Sequence, residues 1–169
     1  MHTSYATLTL LLLAIACGDP VHDRAVEALG PELAGVQPGP THRPGQPCLT
    51  CHAGDGPADF EMAFGGTVFA YAEGGAAASG ATVRLIDANQ KTFETTTNCA
   101  GNFWVPKHAF AATFPVLAAA TLGNTAEVMR TVMRDGSCNG CHTPQASASS
   151  PGQVWVLSAD ASIDTSGCP

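Results

Sequence analysis

Two pentapeptides of one pattern stand out in this chain: Cys48-Leu49-Thr50-Cys51-His52 and Cys138-Asn139-Gly140-Cys141-His142. Two thiols separated by two residues can reach the two vinyl groups of one porphyrin. A histidine directly after the second thiol falls where its imidazole can ligate the iron as proximal ligand. The spacing therefore predicts two covalently attached haem c groups, with Cys48, Cys51, Cys138 and Cys141 as attachment residues and His52 and His142 as iron ligands. A zinc site or a redox dithiol is the other chemistry open to such cysteines. A zinc knuckle, however, needs its two cysteine pairs close enough to form a compact loop, and these pairs lie far apart.

An iron that only carries electrons has both axial positions filled, so each haem needs a second ligand. His108, in a loop between predicted strands, and His42, in the Pro-rich approach to Cys48, are the first candidates. Both are also readable as exposed loop histidines. Met62 and Met133 are the thioether alternatives, residues that otherwise fill core. His22 lies nearer the N-terminus and is a weaker choice. Arg130 and Arg134 alternate with Met129 and Met133 in a predicted strand, so they either face haem propionates or form a solvated edge.

Residues 6–16, ATLTLLLLAIA, form an apolar run too short to span a bilayer as a mature helix and read as an export signal. The run ends in Leu13-Ala14-Ile15-Ala16-Cys17, which resembles the lipobox of bacterial lipoproteins. The resemblance implies removal of residues 1–16 and acylation of Cys17 as the new N-terminus. The stretch before the run lacks Lys and Arg, and Ala14 stands where that family prefers Leu; ordinary signal cleavage nearby is the alternative. Of seven cysteines, Cys17 would hold lipid and four would hold haem, which leaves Cys99 and Cys168. In an oxidising compartment such a pair most often forms a disulfide, two separate free thiols being the alternative.

Both motifs lie between Gly or Pro residues and read as loops rather than parts of long amphipathic helices. The chain resembles a dihaem c-type cytochrome in its motifs, but not the compact helical cytochromes, which carry the motif on an N-terminal helix. Between the motifs, short apolar runs alternate with turn signals: 66–71, 81–86, 92–97 and 102–105. Three more follow at 114–121, 126–134 and 153–158, with Gly123-Asn124 as a hairpin turn. A helix over 114–134 is the competing reading, favoured by Ala118-Ala119-Ala120 and interrupted by that turn.

Gly66-Thr67-Val68, Gly80-Ala81-Thr82-Val83-Arg84-Leu85 and Asn98-Cys99-Ala100-Gly101-Asn102-Phe103 resemble the prealbumin-like or carboxypeptidase regulatory-like domain, over about residues 64–105. That resemblance implies a structural or binding module. The expected fold is all-β: a seven-stranded antiparallel, Ig-like (prealbumin-like) β-sandwich with two haem-binding loops at one end. The expected organisation is a signal peptide at 1–16, a flexible Pro/Gly-rich linker at 17–46, and one dihaem domain at 47–169. If the strands alternate up and down, 48–64, 106–113 and 135–151 share one end. Cys99 and Cys168 then share the other, as a disulfide between them requires.

With 14 acidic against 7 basic side chains and no basic run, nothing favours binding to a phosphate backbone, and nucleic acid is not an expected partner. No nucleophile with a base, paired carboxylates or phosphate loop is legible, so no enzyme activity is expected. The expected function is electron transfer between redox partner proteins by an exported dihaem cytochrome c. It would sit in the periplasm or at the cell surface, lipid-anchored to a bacterial membrane through Cys17. The alternative is a haem-bearing binding or sensor module with an open iron site. A dihaem peroxidase, which resembles two helical cytochrome domains, fits the strand-rich chain poorly.

Overall fold

The structure is a computed structural model that describes residues 19–32, 34, 36–157 and 168. The export signal and Cys17 lie outside the described residues. The chain divides into two compact units, residues 1–30 and 31–169. Among the described residues no helix is long and apolar enough to cross a membrane.

The first unit holds helix α1, Pro20–Ala28. Asp19 caps it: Oδ1 accepts from the Val21 and His22 amides at 2.9 and 3.2 Å, while Pro20 supplies a preset φ at the first helical position. A capped helix thus stands inside the segment expected to be a flexible linker. The later part of that segment, from Pro40 to Gln46, is hydrogen-bonded into the second unit, so the domain begins before the expected residue 47.

The second unit contains seven strands: β1 (Met62–Phe69), β2 (Thr82–Ile86), β3 (Thr92–Thr96), β4 (Asn102–Pro106), β5 (Leu117–Leu122), β6 (Thr125–Val128) and β7 (Val154–Trp155). They form a three-stranded sheet in the order β4-β1-β7 and a four-stranded sheet in the order β3-β2-β5-β6. The single turns Leu49–His52 and Cys138–Cys141 are α2 and α3. Ala118 to Ala120 are therefore strand, and the Gly123 turn joins β5 to β6 as a hairpin. The strand expected over 126–134 ends at Val128. Beyond it the Met129 amide still donates to Ala118 O at 3.0 Å, and Val116 and Met133 exchange backbone hydrogen bonds of 3.1 and 2.8 Å. The expected alternation of Arg130 and Arg134 with Met129 and Met133 on opposite faces is lost with the strand.

All pairings are antiparallel except one: β7 runs parallel to β1, with Val68 opposite Val154. The expectation of a wholly antiparallel sandwich is corrected there. Strands that alternate in direction give the first and the seventh the same sense, and here they are neighbours; the whole intervening chain serves as the long crossover that a parallel pair needs.

Phe64, Val68, Phe103 and Val105 of one sheet and Val83, Leu85 and Ala120 of the other belong to a single buried cluster, closed by Phe110, Val116 and Val156. Strand β1 differs from the rest in being buried on both faces from Phe64 to Phe69. Its run of apolar and small residues, without polar alternation, suits that position. Between β2 and β3, Asp87 is buried. Its Oδ1 accepts from the Asn89 and Lys91 amides at 2.9 and 2.8 Å, and its Oδ2 from the Thr113 amide at 3.0 Å. These hydrogen bonds, led by that of Thr113 and opposed by burial, hold the carboxyl below the usual range.

Cys99 and Cys168 are bonded, with Cα atoms 5.0 Å apart and a sequence separation of 69. Cys99 stands in the turn before β4, whose first residue pairs with Thr67, while its last, Pro106, pairs with Met62.

Two outcomes follow from this framework. Replacing Cys99 and Cys168 together by serine should lower the free energy of unfolding by roughly 4 kcal/mol, since the bridge closes a long loop; urea titration measures it, and an unchanged midpoint would show the bridge to be idle. Asp87→Asn should lower the melting temperature at neutral pH. Because the native carboxyl is depressed, its contribution is present above the unfolded value of about 3.9 and is lost as pH falls through the native one, so the gap between variant and wild type should narrow in acid.

Candidate functional site

The two motifs are built alike. In each, a single helical turn is closed by hydrogen bonds to the first cysteine's carbonyl: His52 N–H donates to Cys48 O at 3.0 Å, and His142 N–H to Cys138 O at 2.8 Å. The first thiol approaches the carbonyl two residues before it, Gln46 O at 3.7 Å for Cys48 and Gly136 O at 4.0 Å for Cys138. The imidazole Nδ1 then meets a carbonyl from a later segment: Phe60 O at 2.7 Å for His52 and Gly152 O at 2.9 Å for His142. A carbonyl only accepts, so it places the ring proton on Nδ1 and leaves the Nε2 lone pair free to bind a metal. Neither Nε2 has a hydrogen-bond partner among the described residues.

Strand β1 positions both turns. A side chain at Gly65 would bring a Cβ to 2.9 Å from Cys48 Cβ, and one at Gly66 would bring it to 2.7 Å from Cys138 Cβ. Consecutive residues of a strand point to opposite faces, so the first cysteines of the two motifs grip β1 from its two sides. A backbone bridge between Gly65 and Ser137 secures the second turn, with the Gly65 amide donating to Gly136 O at 3.1 Å. On this side Asn139, the residue after Cys138, is also buried, and its Oδ1 lies without a hydrogen-bond partner. Burial of the thiols pushes Cys48 up to about 11 and Cys138 up to about 12, so both are uncharged at neutral pH.

The segment 39–46 covers the Gly65 face. Pro40 O accepts from Asn98 and Asn102 side-chain amides at 2.6 and 3.3 Å, His42 O accepts from Asn102 Nδ2 at 2.8 Å, and the Gly45 amide donates to Thr67 Oγ1 at 2.8 Å. These bonds bring His42 beside the first motif, its ring centre 5.9 Å from that of His52. Burial lowers the pKa of His42, an effect that Glu32 opposes and that His52 and Arg43 reinforce. Met62 is also here: its Sδ and Cys48 Sγ both lie 3.3 Å from the point a Gly65 Cβ would occupy.

On the Gly66 side a cavity of about 550 Å³ opens beside the second motif, within the usual range for small-molecule and cofactor sites. Cys138, Cys141 and His142 form one wall. Val68, Val83, Phe103 and Ala118 to Ala120 form another, and Val128, Met129, Val132, Met133, Val154 and Trp155 complete it, with Arg134 among the few charged groups. Met133 and Arg134 thus share the cavity with Met129, while Arg130 does not line it. His108 is exposed in the turn after β4.

An imidazole with a fixed tautomer, two thiols one turn apart and an apolar wall can together hold a planar metallated macrocycle. Among the described residues no three His, Cys, Asp or Glu side chains converge as a ligand set for a bare ion; a macrocycle brings its own equatorial donors. Compared with known proteins, the chain matches no family model, no curated protein and no solved structure.

The carbonyls of Phe60 and Gly152 leave no mark in a sequence, since any residue supplies one. The Gly65-Gly66 pair does leave one, because glycines inside a strand pattern signal close approach of another backbone or ligand. Gly65→Ala and Gly66→Ala should each displace one motif turn and cost about 1–3 kcal/mol of stability by overpacking. Thermal unfolding measures this, with Gly75→Ala, where an added Cβ meets open space, as the comparison.

Proposed function

We propose that this chain is an exported dihaem cytochrome c that relays electrons between redox partner proteins. Its haems would be bound through Cys48, Cys51 and His52 and through Cys138, Cys141 and His142. The observation that carries the reading is the duplicated tautomer lock: both motif histidines give Nδ1–H to a backbone carbonyl and present Nε2. A structural disulfide motif or a pair of redox dithiols would have no use for that arrangement. Haem iron supplies a one-electron couple. What the protein would add is attachment by four thioethers, orientation of two imidazoles, and an apolar wall at the second site.

The relay reading rests on the Gly65 and Gly66 contacts. Groups attached to Cys48 and Cys138 would start beside successive residues of one strand, which suits the passing of electrons between them. The two sheets and their common core are consistent with one seven-stranded, prealbumin-like sandwich as the scaffold. A lipid on Cys17 would place the protein at a bacterial membrane, facing the periplasm or the cell exterior.

A second reading is favoured by the lining of the cavity beside His142, in which no second imidazole stands, among the described residues, to fill the other axial position. In that case the chain is a haem-bearing sensor or binding module.

The deciding experiment is expression of the full chain in a host that matures c-type cytochromes, followed by a pyridine haemochrome assay. Two covalent haems per chain are expected, falling to one in Cys48→Ser/Cys51→Ser and to one in Cys138→Ser/Cys141→Ser. A chain that carries no covalent haem in such a host would end the proposal. Rapid carbon monoxide binding to the reduced wild type at the second haem would favour the sensor reading over the relay.

A further inference from the structure

We infer that His42 is the second axial ligand of the iron held at Cys48, Cys51 and His52, so that this haem is capped by imidazole on both faces. The inference rests on the haem reading above and adds to it the identity of a ligand that sequence leaves open among His42, His108, Met62 and Met133.

Distance is the first observation. An ion bound about 2 Å from each of two imidazole nitrogens, themselves roughly 1.1 Å from their ring centres, separates those centres by about 6 Å. The centres of His42 and His52 are 5.9 Å apart, with ring planes inclined at 38°.

The second observation is how His42 is held there. It belongs to a strap fastened on both sides of the residue. Pro40 O and His42 O both accept from Asn102 Nδ2, and Gly45 N–H donates to Thr67 Oγ1, which in turn donates to Asn102 Oδ1 at 2.8 Å. Thr67 and Asn102 are buried and paired across β1 and β4. The fixing points of the strap are thus part of the sheet that carries Cys48. Immediately after His42, Arg43 takes a left-handed backbone with φ 48°. Such a conformation is costly for a residue with a side chain and persists where the surroundings impose it, often at ligand clamps.

One contact must give way. The Gly39 amide donates to His42 Nδ1 at 3.4 Å, whereas an imidazole bound through Nε2 carries its proton on Nδ1. That bond is long and lies outside the fastened part of the strap, so its loss leaves the Asn102 and Thr67 anchors intact. The rivals are less well placed. His108 is exposed after β4, and Met62 Sδ sits on the Cys48 side, against Gly65. Met133 lines the cavity of the other motif.

The test uses the full chain, matured with haem, as wild type, His42→Ala, His42→Met and Met62→Leu. The pyridine haemochrome assay first counts attached haems; a wild type without covalent haem defeats the underlying reading and is thereby told apart from failure of this one. With both haems attached, His42→Ala should bind one more equivalent of carbon monoxide per chain in the ferrous state than wild type. It should also convert half of the ferric electron paramagnetic signal from low to high spin, and added imidazole should reverse both changes. Should His42→Ala fail to mature, His42→Met keeps a ligand in place, and it should raise the reduction potential of one haem only and introduce a near-infrared sulfur-to-iron band. An unchanged carbon monoxide count and spin state in His42→Ala would overturn the assignment. So would the same gain in Met62→Leu, or an unaltered pair of potentials in His42→Met.

Discussion

The structure depends on a strand that has nothing to show on either side at its centre. Gly65 and Gly66 lie in the middle of β1, and because neither carries a side chain, polypeptide can approach the strand from both faces at once. Strand β1 is consequently buried throughout its length beyond Ala63, which no other strand of the sheets achieves. In most two-layer β proteins the outer face of a sheet is given to water. Here it is given to the segment 39–52, fastened through Asn98, Asn102 and Thr67. The inner side receives the turn 137–142, which packs into the core cluster through Cys138. The sandwich therefore serves as a splint: two short turns, neither stable as an isolated helix, take their geometry from one strand.

Much of the scaffold was legible before the fold was known, because strands and turns announce themselves by local chemistry. All seven strands overlap the apolar runs bounded by turn residues, although β1 begins at Met62 rather than Gly66 and β7 is only Val154–Trp155, and the Gly123-Asn124 hairpin settles the ambiguous alanine-rich stretch in favour of strand. The pairing of Cys99 with Cys168 was also accessible, since strand parity alone places both at one end. Strand ends were less accessible. Nothing local in Val128 to Met133 says that the regular ladder stops at Val128, in a segment that borders a cavity. The same holds for the linker: Pro38, Pro40 and Pro44 read as a spacer, yet the residues that bind it, Asn98 and Asn102, are distant in sequence.

At the site, sequence identified which side chains could do chemistry but not how they are aimed. Carbonyl acceptors from Phe60 and Gly152 set both imidazoles, and such acceptors are invisible in a sequence. The structure also separates the two sites in character. The first is enclosed by a hydrogen-bonded strap bearing an imidazole, whereas the second faces a cavity whose soft donors are the thioethers of Met129 and Met133. Two copies of one motif thus stand in unlike surroundings, and axial-ligand identity and polarity are the levers by which a protein tunes iron.

Burial of Cys48 and Cys138 against glycine has a consequence for their reactivity. A thiol pushed up to about 12 by burial, as in Cys138, stays protonated at neutral pH, and thiolate is the reactive form. With the two turns seated against β1, these sulfurs are therefore poor nucleophiles and poor substrates for disulfide exchange, and the bonded pair, Cys99 with Cys168, lies away from them at the turn before β4.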